Sequence, residues 1–176
     1  MTAVLEQLSS DQRDAVHRWK FGHHVFHIFL ASMNTRLVEA ISRLEAQKWD
    51  EARVVLVDLA LLYHAATAAM FYASDFPKTE YERLIRPSMM PPFASQGFSG
   101  VFNPEHVLML DGMATLRRRY KEMGDLAPED VRVAWRKLVD AQRRNRRNHM
   151  KVCRHHVEGG ESLLRQHFAD QQEASP

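Results

Sequence analysis

Glycine and proline, the residues that most often interrupt helices, are distributed unevenly along this chain of 176 residues. Five of the seven prolines lie between Pro77 and Pro104, and only one of the seven glycines, Gly22, precedes Gly97. The first part of the chain therefore contains few signals that would end a helix. Long uninterrupted helices are predicted there, with a change of structure between residues 76 and 103.

The spacing of apolar residues predicts two long helices before this break. Between Asp11 and Lys48 they recur at alternating spacings of three and four, which is typical of one buried helical stripe. The stripe consists of Trp19, His23, Phe26, Leu30, Met33, Leu37, Ala40 and Leu44. A second, alanine-rich helix is predicted from about Asp50 to Ser74, in a central position.

The apolar part of this second helix, residues 54–73, is long enough to raise the question of a membrane span. It contains Asp58 and His64, and an aspartate at the centre of a span costs about 2.5–3.5 kcal/mol. We therefore expect a helix that is buried on nearly all sides within a bundle, and no membrane partner.

Two further helices are predicted after the break. Asn103 and Pro104 provide an N-cap and a first-turn proline for a third helix that ends near Gly124. Pro128 opens a fourth helix, which ends before the glycine pair at 159–160. Its buried stripe consists of Val131, Trp135, Leu138, Gln142, Asn145, His149, Val152 and His156.

These elements predict one all-α domain over residues 1–176, since no alternating strand pattern is present. We expect a four-helix bundle with a long loop containing proline, methionine and phenylalanine. A short C-terminal helix is predicted from Glu161 to about Asp170.

Composition excludes some classes of protein. A single cysteine, Cys153, cannot form an internal disulfide, so a disulfide-stapled secreted module is excluded. The formal net charge is only +2, so no global field requires a nucleic-acid partner. No basic patch followed by an apolar stretch is seen in residues 1–10, and a cytoplasmic location is expected.

His149 and Cys153 stand four residues apart on the predicted fourth helix. Side chains at that spacing are neighbours, with Cβ atoms about 5–6 Å apart. The pair suits a haem whose iron takes the imidazole while a vinyl group lies near the sulfur. Two packed side chains without a ligand give the same pattern, so the spacing alone leaves both interpretations open.

Three histidines, His23, His24 and His27, cluster on the first helix, and His23 and His27 share a face. Imidazoles there could bind a metal or act as acid and base above a cofactor, although a satisfied core histidine is the alternative. A di-iron bundle would require Glu-x-x-His pairs, which the sequence lacks. A metal site built from histidines alone remains open.

Arginines at positions 143, 144, 146 and 147 precede His149. Such a run can neutralise nucleic-acid phosphates, form a solvated helix face or pair with haem propionates. Because the overall charge is balanced and no groove-reading motif accompanies the run, we expect no nucleic-acid binding. Arg146 and Arg147 are the candidates for the propionates.

Several segments, in order, resemble the tryptophan dioxygenase superfamily of histidine-ligated haem oxygenases. They are the helix from His23, Trp49-Asp50-Glu51-Ala52-Arg53, Glu80-Tyr81 with Arg86, Gln96-Gly97-Phe98-Ser99, Arg146-Arg147-Asn148-His149 and Gly159-Gly160. The resemblance implies a haem with His149 as its axial ligand. The His-x-x-x-Cys spacing is also similar to the 3-methyltyrosine hydroxylase branch, which implies a thioether between Cys153 and a haem vinyl group.

The resemblance also implies a substrate site. Arg86 would pair with a substrate carboxylate through its planar fork, and the aromatic pocket would be lined by Tyr81, Phe93 and Phe98. An arginine paired with a nearby Asp or Glu is the alternative for Arg86. One of the three clustered histidines, with His23 preferred, would act on the distal side of the haem. Glu158 occupies the place of a threonine that helps to hold the substrate ammonium in tryptophan dioxygenases.

That replacement, together with a chain much shorter than is usual for the superfamily, favours a mono-oxygenase or peroxygenase over a true tryptophan dioxygenase. The expected function is haem-dependent insertion of oxygen, from O2 or peroxide, into an aromatic amino acid or related metabolite by a homodimer or homotetramer. A non-catalytic haem-binding or sensor protein, and a nucleic-acid-binding protein that uses the arginine run, are the alternatives.

Overall fold

The structure is a computed structural model that describes residues 8–90 and 103–157. Within these ranges the long helices are α1 (Ser10–Glu45), α2 (Trp49–Ala73), α3 (Pro104–Met123) and α4 (Glu129–Val157). No strand occurs in the described ranges, so the predicted all-α fold is confirmed. The predicted short helix after residue 160 lies outside the described residues.

A short helical segment, residues 78–88, follows α2. It consists of Lys78–Glu80, the π-helical turn Tyr81–Ile85 and Arg86–Ser88. The part of the predicted long loop that is described therefore contains a helix, which the prolines around it did not indicate. A 3-10 turn, Gly124–Leu126, joins α3 to α4.

The helix starts are capped by the residues that the sequence provides. Asn103 accepts a hydrogen bond from the backbone N–H of His106 at 3.1 Å, and Pro104 is the first residue of α3, which confirms the predicted cap. Ser9 caps α1 through a reciprocal capping box with Gln12.

Helix packing defines the order of the bundle. α1 packs against α2 and α3, and α2 also packs against α4. The rings of Tyr120 on α3 and Trp135 on α4 stack with centroids 4.2 Å apart, and this contact joins α3 to α4. The start of α1 and the end of α4 both lie at the end of α2, where Gly22 approaches Ala73 and His156 lies beside the carbonyl of Ser74.

The core is formed by all four long helices, and α1 contributes to it through its second half. In that half the predicted stripe is buried: Leu30, Met33, Leu37, Ala40 and Leu44 are each at most 2% exposed. In the first half, Trp19, His23 and Phe26 are only partly buried. The bundle end at which α1 starts is therefore less tightly filled than the opposite end.

α2 is long and apolar enough to cross a membrane by length and composition alone. Ten of its 25 residues are nevertheless buried in the bundle. The expectation of burial on nearly all sides is wrong for the outer face, because Val54, Leu61 and His64 are exposed. Contact with α1 and α4 occupies only the inner faces of α2.

A polar network crosses the middle of the bundle. The hydroxyl of Tyr63 donates to the Met109 sulfur at 3.1 Å and accepts a hydrogen bond from Gln142 at 3.2 Å. Burial raises the pKa of Tyr63 to about 12, so this phenol stays protonated. One turn further along α4, Asn145 donates to the hydroxyl of Thr67 at 2.9 Å.

Close contact between α1 and α2 requires a glycine at position 22. A Cβ atom added to Gly22 would lie 2.5 Å from the Cβ and 2.7 Å from the Cα of Ala73. Because the second atom belongs to the backbone, a side-chain rotation cannot relieve the overlap. The two helices must move apart if residue 22 carries a side chain.

Replacement of Gly22 by alanine should therefore lower the free energy of unfolding by about 1–3 kcal/mol, as overpacking does elsewhere. Urea denaturation measures this change. The control is Gly112→Ala, whose new Cβ would meet the flexible Leu37 side chain at 3.0 Å and should cost less. Equal stability of Gly22→Ala and the parent chain would contradict the close contact.

Candidate functional site

Histidines from three helices converge at the bundle end where α1 begins and α4 ends. His23 lies on α1, His106 in the first turn of α3 and His149 on α4. The His149 charge contributes to lowering the pKa of His23, and the His106 charge contributes to lowering that of His149. The imidazoles are thus close enough to interact electrostatically across the bundle.

His23 has a defined tautomer. Its Nδ1 lies 2.6 Å from the carbonyl oxygen of Trp19, one turn earlier on α1. Since a carbonyl oxygen only accepts hydrogen bonds, Nδ1 carries the proton and Nε2 holds the lone pair. The Trp19 ring, 4.8 Å from the imidazole, restrains its orientation.

Burial is the main cause of the lowered pKa of His23, and it is opposed by the hydrogen bond to Trp19. Surrounding protein likewise lowers the pKa of His149. Both imidazoles are therefore held in the neutral form at neutral pH, which is the form that ligates iron or accepts a proton. The predicted stripe of α4 is wrong at this position, because His149 is exposed rather than buried.

The other two histidines of the α1 cluster have different surroundings. His24 is exposed. His27 is also exposed, and its Nδ1 accepts a hydrogen bond from Asn103 at 3.4 Å while its Nε2 lies 3.8 Å from a carboxylate oxygen of Glu105. His27 thus contributes to contact between α1 and α3, and the structure places His23 nearest to His149.

His106 was missed by the sequence analysis. It stands three residues before Met109 and seven before Met113, which are both buried on α3. A helical stripe extended back to the N-cap would have included it. The sequence therefore indicates His106 once the first turn of α3 is counted as part of its inward face.

Tyr81 and Arg86, the predicted substrate residues, lie on the segment 78–88. The Arg86 side chain is only 14% exposed and its guanidinium lies 3.7 Å from the Glu82 carboxylate. The Tyr81 ring is partly buried and stacks on His156 of α4, with centroids 5.0 Å apart. Phe93, Phe98 and Glu158 lie outside the described residues.

The two arginines proposed for haem propionates do not share one face of α4. Both Arg146 and Arg147 are exposed. At about 100° per residue, Arg147 points almost opposite to His149, whereas Arg146 lies on the flank of the same face. Cys153 belongs to α4, one turn beyond His149, but its side chain lies outside the described residues.

Within residues 8–90 and 103–157, no three His, Cys, Asp or Glu side chains are grouped closely enough to hold a metal ion together.

Comparison with known proteins identifies the family. Residues 3–146 match the family described as SfmD 3-methyl-L-tyrosine peroxygenase, and the chain belongs to this family. A 3-methyl-L-tyrosine peroxygenase of Streptomyces lavendulae is 29% identical over 150 residues, which cover 82% of this chain. No solved structure matches.

The match covers only part of each molecule. The alignment with the Streptomyces protein covers 39% of the length of that protein. The family match ends at residue 146, three residues before His149. It therefore includes His23, Tyr81, Arg86 and His106, whereas the pair His149 and Cys153 rests on the sequence resemblance and on the position of α4.

Lowered histidine pKa values make the folded state less stable in mild acid. The unfolded chain takes up protons on these side chains near pH 6.5, whereas folded His23 and His149 take them up only at lower pH. The free energy of unfolding should fall as pH decreases from about 7 towards 5. Urea denaturation at several pH values measures the slope.

The double variant His23→Gln/His149→Gln should show a shallower slope over this range, because it lacks the two groups that resist protonation. His64→Gln, at an exposed position on α2, is the matched control. An unchanged slope in the double variant would show that these imidazoles are not desolvated.

Proposed function

We propose that this chain is a haem-dependent peroxygenase domain that hydroxylates the ring of a tyrosine-like amino acid. The observation that carries the proposal is the placement of two imidazoles, His23 on α1 and His149 on α4, at one end of the bundle, where His149 acts electrostatically on His23. Membership of the peroxygenase family supports the reaction class.

The residues at this end fit a haem. Neutral imidazole is the usual axial ligand of haem iron, and the α4 imidazole is accessible yet partly desolvated. The hydrogen bond from Nδ1 of His23 to a backbone carbonyl leaves Nε2 as a lone-pair donor.

In this proposal His149 would ligate the haem iron, Arg146 would pair with a propionate and Cys153 would form a thioether by adding its S–H across a vinyl group. The haem iron would supply the oxidising centre when it is bound. The Nε2 of His23 could accept a proton from hydrogen peroxide and return it to the departing water. General acid–base catalysis of this type contributes about 10²–10⁴-fold.

The substrate would be held by the segment 78–88. A mostly buried guanidinium such as that of Arg86 can pair bidentately with the carboxylate of an amino acid. The nearby Glu82 carboxylate is a candidate partner for the ammonium group. Tyr81 adds an aromatic wall, so the site suits a zwitterion with an aromatic side chain.

The balanced reaction consumes one aromatic substrate and one hydrogen peroxide and yields one phenol and one water. One ring C–H bond becomes C–O–H, and the O–O bond of peroxide is broken. Peroxide supplies both the oxygen and the oxidising equivalents, so no separate reductant is needed. The superfamily resemblance, the cytoplasmic location and the homo-oligomer expected from the sequence belong to this same proposal.

Purified protein supplied with haem should develop a Soret band, and His149→Ala should lose it because the iron loses its ligand. His64→Ala, remote from this end, should keep it. With 3-methyl-L-tyrosine and hydrogen peroxide, mass spectrometry should detect a product one oxygen atom heavier. His23→Ala should retain haem but lose about 10²–10⁴-fold in turnover.

A well-folded protein that takes up no haem would contradict the proposal. Haem uptake without a spectral response to any aromatic amino acid would favour the non-catalytic haem-binding alternative. Binding to DNA or RNA that weakens steeply with salt would instead support the arginine run as a phosphate contact.

A thioether at Cys153 should make the haem resist extraction by acid and acetone. The denatured holo-protein should then have the mass of polypeptide plus haem, and Cys153→Ala should release its haem on denaturation while keeping a Soret band. Intact mass spectrometry measures both. A fully loaded protein whose denatured chain has only the polypeptide mass would show that no covalent bond forms.

A further inference from the structure

A second histidine of α4, His156, is buried near the helix end. It is 4% exposed, and it lies two turns beyond His149 on the same face. Burial of a polar ring is costly unless its hydrogen-bonding groups find partners. The contacts made by His156 therefore indicate what its burial achieves.

Its Nε2 lies 3.0 Å from the carbonyl oxygen of Ser74, at the C-cap of α2. As the acceptor is a carbonyl, Nε2 is the donor. This hydrogen bond ties the end of α4 to the end of α2. It also satisfies one of the carbonyl groups that a helix leaves without an internal partner.

The His156 ring is packed against two aromatic rings that follow α2. The centroid of Phe76 lies 5.2 Å away with an interplanar angle of 33°, and that of Tyr81 lies 5.0 Å away with an angle of 35°. Phe76 precedes the segment 78–88, and Tyr81 begins its π-helical turn. The imidazole of His156 thus contacts both Phe76, which follows α2, and Tyr81, which begins the π-helical turn.

The position of Tyr81 is transmitted directly to Arg86. The backbone N–H of Arg86 donates to the carbonyl of Tyr81, which closes the π-helical turn. Ile85, within that turn, is 1% exposed and fixes the opposite side of the turn in the core. The backbone of Arg86, from which the guanidinium extends, is therefore held in place while Tyr81 stays packed against His156.

We propose that His156 is a positioning residue that fixes Tyr81 and Arg86 relative to His149. His149 and His156 both belong to α4. The positions of His149, which would hold the iron, and of Arg86, which would hold the substrate, are therefore both set by this one helix. Seven residues separate the two histidines, which is about 10 Å along the helix axis. This inference rests on the proposed function for the roles of His149 and Arg86.

The test compares His156→Ala, which removes the ring and the donor, with His156→Phe, which retains a ring but cannot donate to Ser74. In haem-loaded protein, His156→Ala should weaken binding of 3-methyl-L-tyrosine about tenfold, measured as the shift of the Soret band. Haem content and turnover at saturating substrate should change little, so the effect appears in KM. His156→Phe should recover part of the affinity.

Hydrogen–deuterium exchange of the haem-free protein provides a readout that does not depend on activity. Amides of the turn Tyr81–Ile85 should exchange faster in His156→Ala than in the parent chain, while those of the α1 core should not. His64→Ala is the control for loss of a histidine, and Arg86→Ala should weaken ligand binding without faster exchange at Tyr81.

The outcomes separate the two proposals. Should the parent chain bind neither haem nor ligand, the proposed function fails, and faster exchange of the turn in His156→Ala would still support the positioning role. Normal haem and ligand binding by the parent chain, with unchanged KM and exchange in His156→Ala, would overturn the inference alone. A general loss of protection in His156→Ala, without recovery in His156→Phe, would show a merely structural role.

Discussion

Close approach of two backbones, at Gly22 of α1 and Ala73 of α2, is the constraint on which the histidine end of this molecule depends. With no side chain at position 22, the first half of α1 can lie directly on the end of α2. His23 is the next residue, so the same contact fixes the position of its imidazole relative to the end of α2. α4 also packs on α2, and α2 is therefore the common support of both facing histidines.

Electrostatics at this end follows from packing rather than from net charge. The chain is nearly balanced, at +2, and the carboxylate that neighbours the α1 cluster, Glu105, is drawn towards His27 rather than His23. Burial therefore remains the dominant influence on His23, and it favours the neutral ring. The arginines at positions 143, 144, 146 and 147 of α4 are exposed, and solvent screens their charges.

Local sequence rules were sufficient for the four long helices and for the buried stripe in the second half of α1, but not for the helical segment 78–88 or for the exposure of His149. Spacing identified the buried stripe of α1 and placed His149 and His156 on one face of α4, because helical periodicity is a local property. The partners of His156 could not be predicted in this way. Ser74 and Phe76 are about eighty residues distant along the chain, and a π-helical turn between prolines has no recognised sequence signal.

Uneven burial along α1 divides the bundle into two parts of different local stability. Aliphatic side chains are fully enclosed where α1 ends, whereas Trp19, His23 and Phe26 remain partly open where it begins. Regions with fewer buried apolar contacts open at lower free energy than the whole fold does. The first turns of α1 should therefore open at lower free energy than the opposite end of the bundle, and a molecule that binds to their partly open side chains would also stabilise the folded bundle by mass action.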